Sequence, residues 1–359
     1  MENRPVHFKG LNALRFFAAF SIIVYHTTVG FHADMSIRYQ LFFKNLVIGV
    51  DFFFLISGFL IIYLLLLEKQ NTGSIHLGKF YFRRVLRIFP LYFLIVGLAF
   101  LCYHNNHPEI DFSKYLYFWG NFYTIELVNW PTGFLTPLWS VCIEEQFYLF
   151  IPLLVLLVPI RYVHWALIGV VAGSLAYRFG QVPTDNWYKI YCSTISRCDL
   201  MAIGGLLAWL HIRKPISFSA SVYLPLAVLL MLLILVMTTS HYSDYTLLDY
   251  ALFKKYAFAV PMLAIIILFV FNTHPSVQFF ESSPLQYLGK ISYGLYMYHA
   301  PVSELMFNYS PLTKYILDWH PLHPIQVLIP TILVSVLSYE FFEKRFLALK
   351  FKAQVVQAS

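Results

Sequence analysis

The stretch 45–67, NLVIGVDFFFLISGFLIIYLLLL, carries a single charged side chain, Asp51, in 23 residues. A helix of that length is ~34 Å long and the hydrocarbon core of a bilayer is ~30 Å thick, so the stretch reads as a membrane-spanning helix. Working outward, similar runs recur at 11–31, 224–239 and 256–271. Composition agrees. The chain is 59% hydrophobic and 12% charged, about half the charged fraction of soluble domains. Such a chain has too little polar surface to cover a water-soluble fold. The run at 11–31 contains Asn12, Arg15 and His26 and no small-residue cleavage site follows it, so it reads as a retained first span. Cys102, Cys142, Cys192 and Cys198 show no metal-ligand spacing and imply no disulfide framework.

The hydropathy pattern predicts an all-α polytopic integral membrane protein of about ten transmembrane helices, at 10–31, 45–67, 88–104, 137–159, 162–178, 196–211, 218–239, 256–272, 288–308 and 324–342. An even count puts both termini on one side. With that side cytoplasmic, fifteen Lys and Arg face inward and nine outward, and the positive-inside rule favours both termini in the cytoplasm. The densest basic cluster, Lys79 to Arg87, then forms a cytoplasmic loop. The longest loop, 105–136, faces outward, and its aromatic density suits a segment in the interface or one folded back into the protein. The organisation expected is one integral-membrane domain over 1–359 with no appended soluble domain.

Ionisable groups within spans are costly and are functional candidates by default. Arg15 and His26 are eleven residues apart, three turns plus ~20°, so they share a helix face ~16 Å apart along the axis. Alone, Arg15 reads as a side chain snorkelling to headgroups and His26 as an interfacial histidine; the shared face points the pair towards function. Glu144 and Glu145 open the fourth span at the depth of His26, and one of them is equally well placed to cap a helix N-terminus. Ser140, Glu144 and Tyr148 form one polar face by i, i+4 spacing. Asp51 alone reads first as an N-cap, and Ser57 and Gly58 as residues that permit close helix packing. Arg197 and Asp199 open the sixth span and read equally as a mutual ion pair. Tyr293, Tyr296, Tyr298 and His299 lie on the ninth, where an aromatic belt is the plain alternative.

Taken in order, these stretches resemble a known family. They are Leu11-Asn-Ala-Leu-Arg15 with His26 eleven residues on, Gly49 through Phe59, Arg83-Arg84-Val-Leu-Arg87-Ile-Phe-Pro90, Trp139-Ser140 through Glu144-Glu145-Gln146-Phe-Tyr148, Arg197-Cys-Asp199 through Gly204, Leu288 through Tyr296, and Ser338-Tyr339-Glu340 with Glu343-Lys-Arg345-Phe346. The chain resembles the integral-membrane acyltransferases of acyltransferase family 3, which includes bacterial O-antigen and cell-surface O-acetyltransferases. The family's Asp-Gly-Leu-Arg phrase is Asn12-Ala13-Leu14-Arg15 here.

The resemblance implies an acyl-CoA-dependent membrane O-acyltransferase in a bacterial inner membrane. It would move an acyl group, commonly acetyl, to a hydroxyl of a cell-surface or lipid-linked carbohydrate. Acetyl-CoA or another acyl-CoA is the implied donor, and no metal is required. Membrane lipid and a carbohydrate are the implied partners, and nucleic acid is not. His26 would be general base or acyl carrier, with Glu144 or Glu145 as its carboxylate partner. Arg15, Arg83, Arg84 and Arg87 would hold the donor, since guanidinium forks match phosphate geometry. Asp51, Arg197, Tyr293 and His299 would serve the acceptor. Two other classes remain as alternatives: a secondary transporter or flippase for a lipid-linked sugar, and an accessory subunit of a polysaccharide assembly complex. The first generally shows two related halves, which this sequence lacks. The second leaves the shared face of Arg15 and His26 unexplained.

Overall fold

The structure, a computed structural model, describes residues 8–28, 42–184, 186–216, 220–240, 254–271, 278–309 and 323–355. The expected termini at 1–7 and 356–359, and the end of the first span at 29–31, lie outside these residues. The described residues form α1 (Lys9–Thr28), α2 (Ile48–Thr72), α3 (Leu77–Tyr103), the short α4 (Ser113–Leu116) and α5 (Gly120–Leu127), and α6 (Leu138–Leu157). These are followed by α7 (Val163–Gln181), α8 (Trp187–Cys192), α9 (Thr194–Arg213), α10 (Ala220–Ser240) and α11 (Lys255–Phe271). The last are α12 (Ser283–Lys290), α13 (Ser292–Tyr309), α14 (His323–Ser338) and α15 (Lys344–Val355), with a π-turn at Tyr339–Glu343 joining the final two. No strand occurs among the described residues.

Each of the ten stretches expected to span overlaps a helix. Among the described residues, six helical stretches are long and apolar enough to cross a membrane: Phe42–Thr72, Leu77–Tyr103, Leu138–Leu157, Ile160–Thr184, Trp187–Arg213 and Pro324–Leu349. The protein is thus a multi-pass membrane protein. Leu229, Leu233 and Val236 on α10, and Ile329, Leu333 and Leu337 on α14, are exposed. Such continuous apolar faces suit lipid rather than water.

The most intimate packing is that of α2 against α9. Two glycines make it possible. A Cβ on Gly58 would lie 2.0 Å from the Met201 carbonyl oxygen, and one on Gly204 would lie 2.1 Å from that of Leu55. In lipid, helices associate through such close backbone approach rather than through a hydrophobic drive. The plain packing reading of Gly58 is therefore the correct one. At the far end of α2, Gly73 adopts φ 77° and its N–H bonds to the Lys69 carbonyl, a left-handed cap that glycine accepts without strain. The Lys69 ammonium donates to the carbonyls of Val155, Leu156 and Val158 at 2.8, 2.9 and 2.9 Å, satisfying the exposed C-terminal carbonyls of α6.

Of two expectations about connecting segments, the first changes and the second resolves to one of its alternatives. Arg83, Arg84 and Arg87 do not lie in a loop, because α3 begins at Leu77 and carries them on its first turns. No glycine or proline interrupts 79–89, and the basic residues there are good helix formers, so the helix extends past the apolar run. The segment 105–136 folds back into the bundle. The Phe118 ring stacks on Tyr92 with centroids 4.3 Å apart, and Gln146 of α6 donates to the Phe118 carbonyl at 2.7 Å.

Two candidate cavities meeting at Val50 and Tyr296

Two cavities open beside α1. The first, of about 80 Å³, is lined by Arg15, Arg84, Arg87 and Glu144 together with Ser57, Ser140, Tyr148 and Tyr293. The second, of about 390 Å³, is lined by His26, Tyr25 and the rings of Trp130, Trp139, Trp187 and Tyr191. Val50 of α2 and Tyr296 of α13 line both, so these two side chains form the partition between them.

Local chemistry places the charged groups of the first cavity. The face Ser140, Glu144 and Tyr148 of α6 lines its wall, as the i, i+4 spacing predicts. Glu144 accepts hydrogen bonds from the Ser57 hydroxyl at 2.9 Å and from the Tyr148 hydroxyl at 3.3 Å. Arg84 lies over the rings of Phe80 and Tyr148, each 5.7 Å from its guanidinium carbon. Neither Arg15, Arg84 nor Arg87 forms an ion pair within 4 Å among the described residues. The cavity therefore gathers three guanidinium groups around one carboxylate, and its excess of positive charge suits an anion.

His26 lies in the last turn of α1 and is exposed into the second cavity. Its Nδ1 lies 2.8 Å from Nε2 of His299, which is fully buried on α13. His299 Nδ1 in turn lies 2.5 Å from the backbone carbonyl oxygen of Tyr296. The two imidazole rings are within 12° of parallel and their centroids are 5.0 Å apart. With the nitrogens at 2.8 Å, that separation sets the rings edge to edge, as an in-plane hydrogen bond requires.

Behind the aromatic wall lies Arg197. It pairs with Asp51 at 2.7 Å and faces the rings of Phe54, Trp139 and Tyr191 at 5.5, 5.5 and 4.6 Å. Asp199 belongs to a separate buried cluster. It accepts from Arg178 at 2.7 Å, from Lys255 at 2.6 Å and from the Tyr256 hydroxyl at 2.8 Å.

A family profile describing an acyltransferase domain matches residues 8–340. The chain belongs to that family, acyltransferase family 3. It is similar to the O-acetyltransferase OatA of Staphylococcus aureus strain NCTC 8325, with 28% identity over 97% of this chain and 58% of that protein. OatA of Staphylococcus aureus strain COL matches to the same extent, 28% over 97% and 58%. The chain thus spans a little over half the length of these relatives. No solved structure matches it.

For this family member, the candidates read from sequence divide between the cavities. Arg15, Arg84, Arg87, Glu144 and Tyr293 come together in the first, where the Tyr293 hydroxyl also donates to the Ile88 carbonyl at 3.1 Å. Arg83 stands apart, 3.9 Å from Glu68. Glu144 is not the hydrogen-bond partner of His26; its partners are Ser57 and Tyr148, and that of His26 is His299. Glu145 lines neither cavity. Asp51 and Arg197 line neither cavity either, and they bind each other beneath the aromatic wall. Arg197 and Asp199 do not form the mutual pair that their spacing suggests. Arg178 and Lys255, two of the nine cations that the charge count places on the outward side, are buried in the Asp199 cluster, because α7 runs on to Gln181 and α11 begins at Lys255. Tyr296 as the partition, and Trp130 and Trp187 as cavity walls, carry no local sequence signal that separates them from a membrane-interface belt.

Proposed function

We propose that this acyltransferase moves an acyl group, commonly acetyl, from cytoplasmic acyl-CoA to a hydroxyl of a cell-surface or lipid-linked carbohydrate. The observation that carries the reading is the contiguity of the two cavities at Val50 and Tyr296, one rich in arginine and the other holding His26 among aromatic rings. CoA is a phosphate-bearing anion with a thioester at the end of a long, flexible arm. Arg15, Arg84 and Arg87 would bind its phosphates through charge-assisted hydrogen bonds. The arm would then carry the thioester towards the partition. The second cavity would take the acceptor, whose apolar sugar faces match flat indole and phenol rings. The name O-acetyltransferase borne by the relatives supports acetyl as the group and oxygen as its acceptor.

His26 would remove the proton from the acceptor hydroxyl as its oxygen attacks the thioester carbonyl. The new C–O bond forms, the C–S bond breaks, and the CoA thiolate leaves. The proton held by His26 passes to that thiolate. The reading takes the protein to cross the bacterial inner membrane ten times with both ends in the cytoplasm, so that the arginine cavity faces the donor. Reporter fusions within 105–135 and at the C-terminus should then report opposite sides, and the same side would refute the arrangement.

The test of the activity supplies acetyl-labelled acetyl-CoA to membranes with and without the protein and weighs the surface glycans. Protein-dependent gain of labelled acetyl supports the reading. Glycan movement across the membrane without consumption of acetyl-CoA would instead favour a transporter.

A further inference from the structure

We propose that His299 is a positioning residue that fixes the tautomer of His26 and leaves Nε2 of His26 as the reacting nitrogen. The inference rests on the reading of His26 as the group that takes the acceptor's proton.

The Tyr296 carbonyl oxygen can only accept a hydrogen bond, so His299 Nδ1, 2.5 Å away, carries a hydrogen. In a neutral imidazole the other nitrogen is then an acceptor. His299 Nε2 therefore accepts from His26 Nδ1, 2.8 Å away, and Nδ1 of His26 must be protonated. That leaves His26 Nε2 as the bare, basic nitrogen. It lies on the far side of the ring from buried His299, and His26 is exposed to the aromatic cavity. The opposite assignment needs a second proton on His299. That would place a charge on a fully buried ring to which, among the described residues, no carboxylate is hydrogen-bonded.

The chain of bonds performs the task that a carboxylate performs in a hydrolase triad. It holds the base in one tautomer and one ring orientation, and His299 Nε2 continues to accept the hydrogen bond from the Nδ1–H of the imidazolium formed during turnover. Here the anchor is a backbone carbonyl on α13, relayed through a second histidine. The backbone of Tyr296 sets the base while its ring forms the partition, so α13 fixes the base and the wall of the reaction chamber in one element.

The test has three readouts on the full-length protein in lipid nanodiscs. Nitrogen-15 NMR of histidine-labelled protein, assigned with His26→Asn, reports the tautomer directly: Nδ1 protonated and Nε2 bare is expected, and the reverse overturns the proposal without any variant of His299. Turnover with labelled acetyl-CoA is then compared between two substitutions. His299→Leu cannot accept from His26 and should lose roughly 10²-fold or more in kcat, with KM for acetyl-CoA unchanged. His299→Gln places an amide oxygen near the position of Nε2 and should hold kcat within roughly tenfold of the parent, since one neutral hydrogen bond is replaced by another. Equal loss in both variants, or loss in neither, overturns the positioning role. His26→Ala separates the two layers of argument: if it stays active, the base assignment itself fails, whereas an inactive His26→Ala beside a fully active His299→Leu refutes this inference alone.

Discussion

The hydroxyls of Ser140 and Tyr296 lie 2.7 Å apart, and this contact ties α6 to α13 at the partition between the two cavities. The same tyrosine hydroxyl reaches the Pro137 carbonyl at 3.1 Å, and Ser140 reaches it at 3.2 Å. Removing the tyrosine hydroxyl leaves Ser140 still bonded to Pro137. Tyr296→Phe should therefore cost only about 1 kcal/mol of stability, the net worth of a typical hydrogen bond. Its kcat should fall while KM for acetyl-CoA holds, because the partition sets where the thioester meets His26 but does not bind the phosphates. Unaltered melting temperature and kcat would show that the hydroxyl does not hold the wall.

Position on α3 separates the arginines. Arg84 and Arg87 line the first cavity, whereas Arg83 points to Glu68 across 3.9 Å. Charge-assisted hydrogen bonds contribute roughly 1.5–3 kcal/mol each, which corresponds to about 10- to 100-fold in affinity. Arg84→Gln and Arg87→Gln should each raise KM for acetyl-CoA within that range. Arg83→Gln should change it little, since partly exposed ion pairs contribute at most about 1 kcal/mol. Donor saturation curves of the three variants check this, and an Arg83 effect as large as the others would contradict the assignment.

Asp199 holds two buried cations, Arg178 and Lys255, at 2.7 and 2.6 Å. The cluster lines neither cavity, so its role is to fasten α7, α9 and α11 together. Asp199→Asn removes the carboxylate that both cations share. Loss of one member of a buried pair costs about 3–5 kcal/mol. The variant should show sharply lower thermal stability in detergent, and parental stability would mean that the cations are neutralised by other means.

What the sequence revealed and what it hid follow from the range of the interactions. The shared face of Arg15 and His26, and that of Ser140, Glu144 and Tyr148, are properties of one helix each and follow from its 3.6-residue period. The positions of the helices follow from apolar runs. The basic cluster of α3 reads as a loop from sequence because counting charges locates membrane ends, not helix ends. The partner of His26 lies 273 residues away on another helix, and nothing in local spacing distinguishes it from Glu144 at a similar expected depth. The pairing of Arg197 with Asp51 rather than Asp199 is hidden for the same reason, since it depends on how α2 and α9 approach through Gly58 and Gly204.

The measurement that bears most directly on the account is the turnover of His26→Ala. The variant should insert, melt near the parent temperature and bind acetyl-CoA as before, because the arginine cavity does not include His26. General-base catalysis contributes roughly 10²–10⁴-fold, so transfer of labelled acetyl to surface glycan should fall by at least ~10²-fold. A folded, donor-binding His26→Ala protein that transfers acetyl at close to the parent rate would contradict the account.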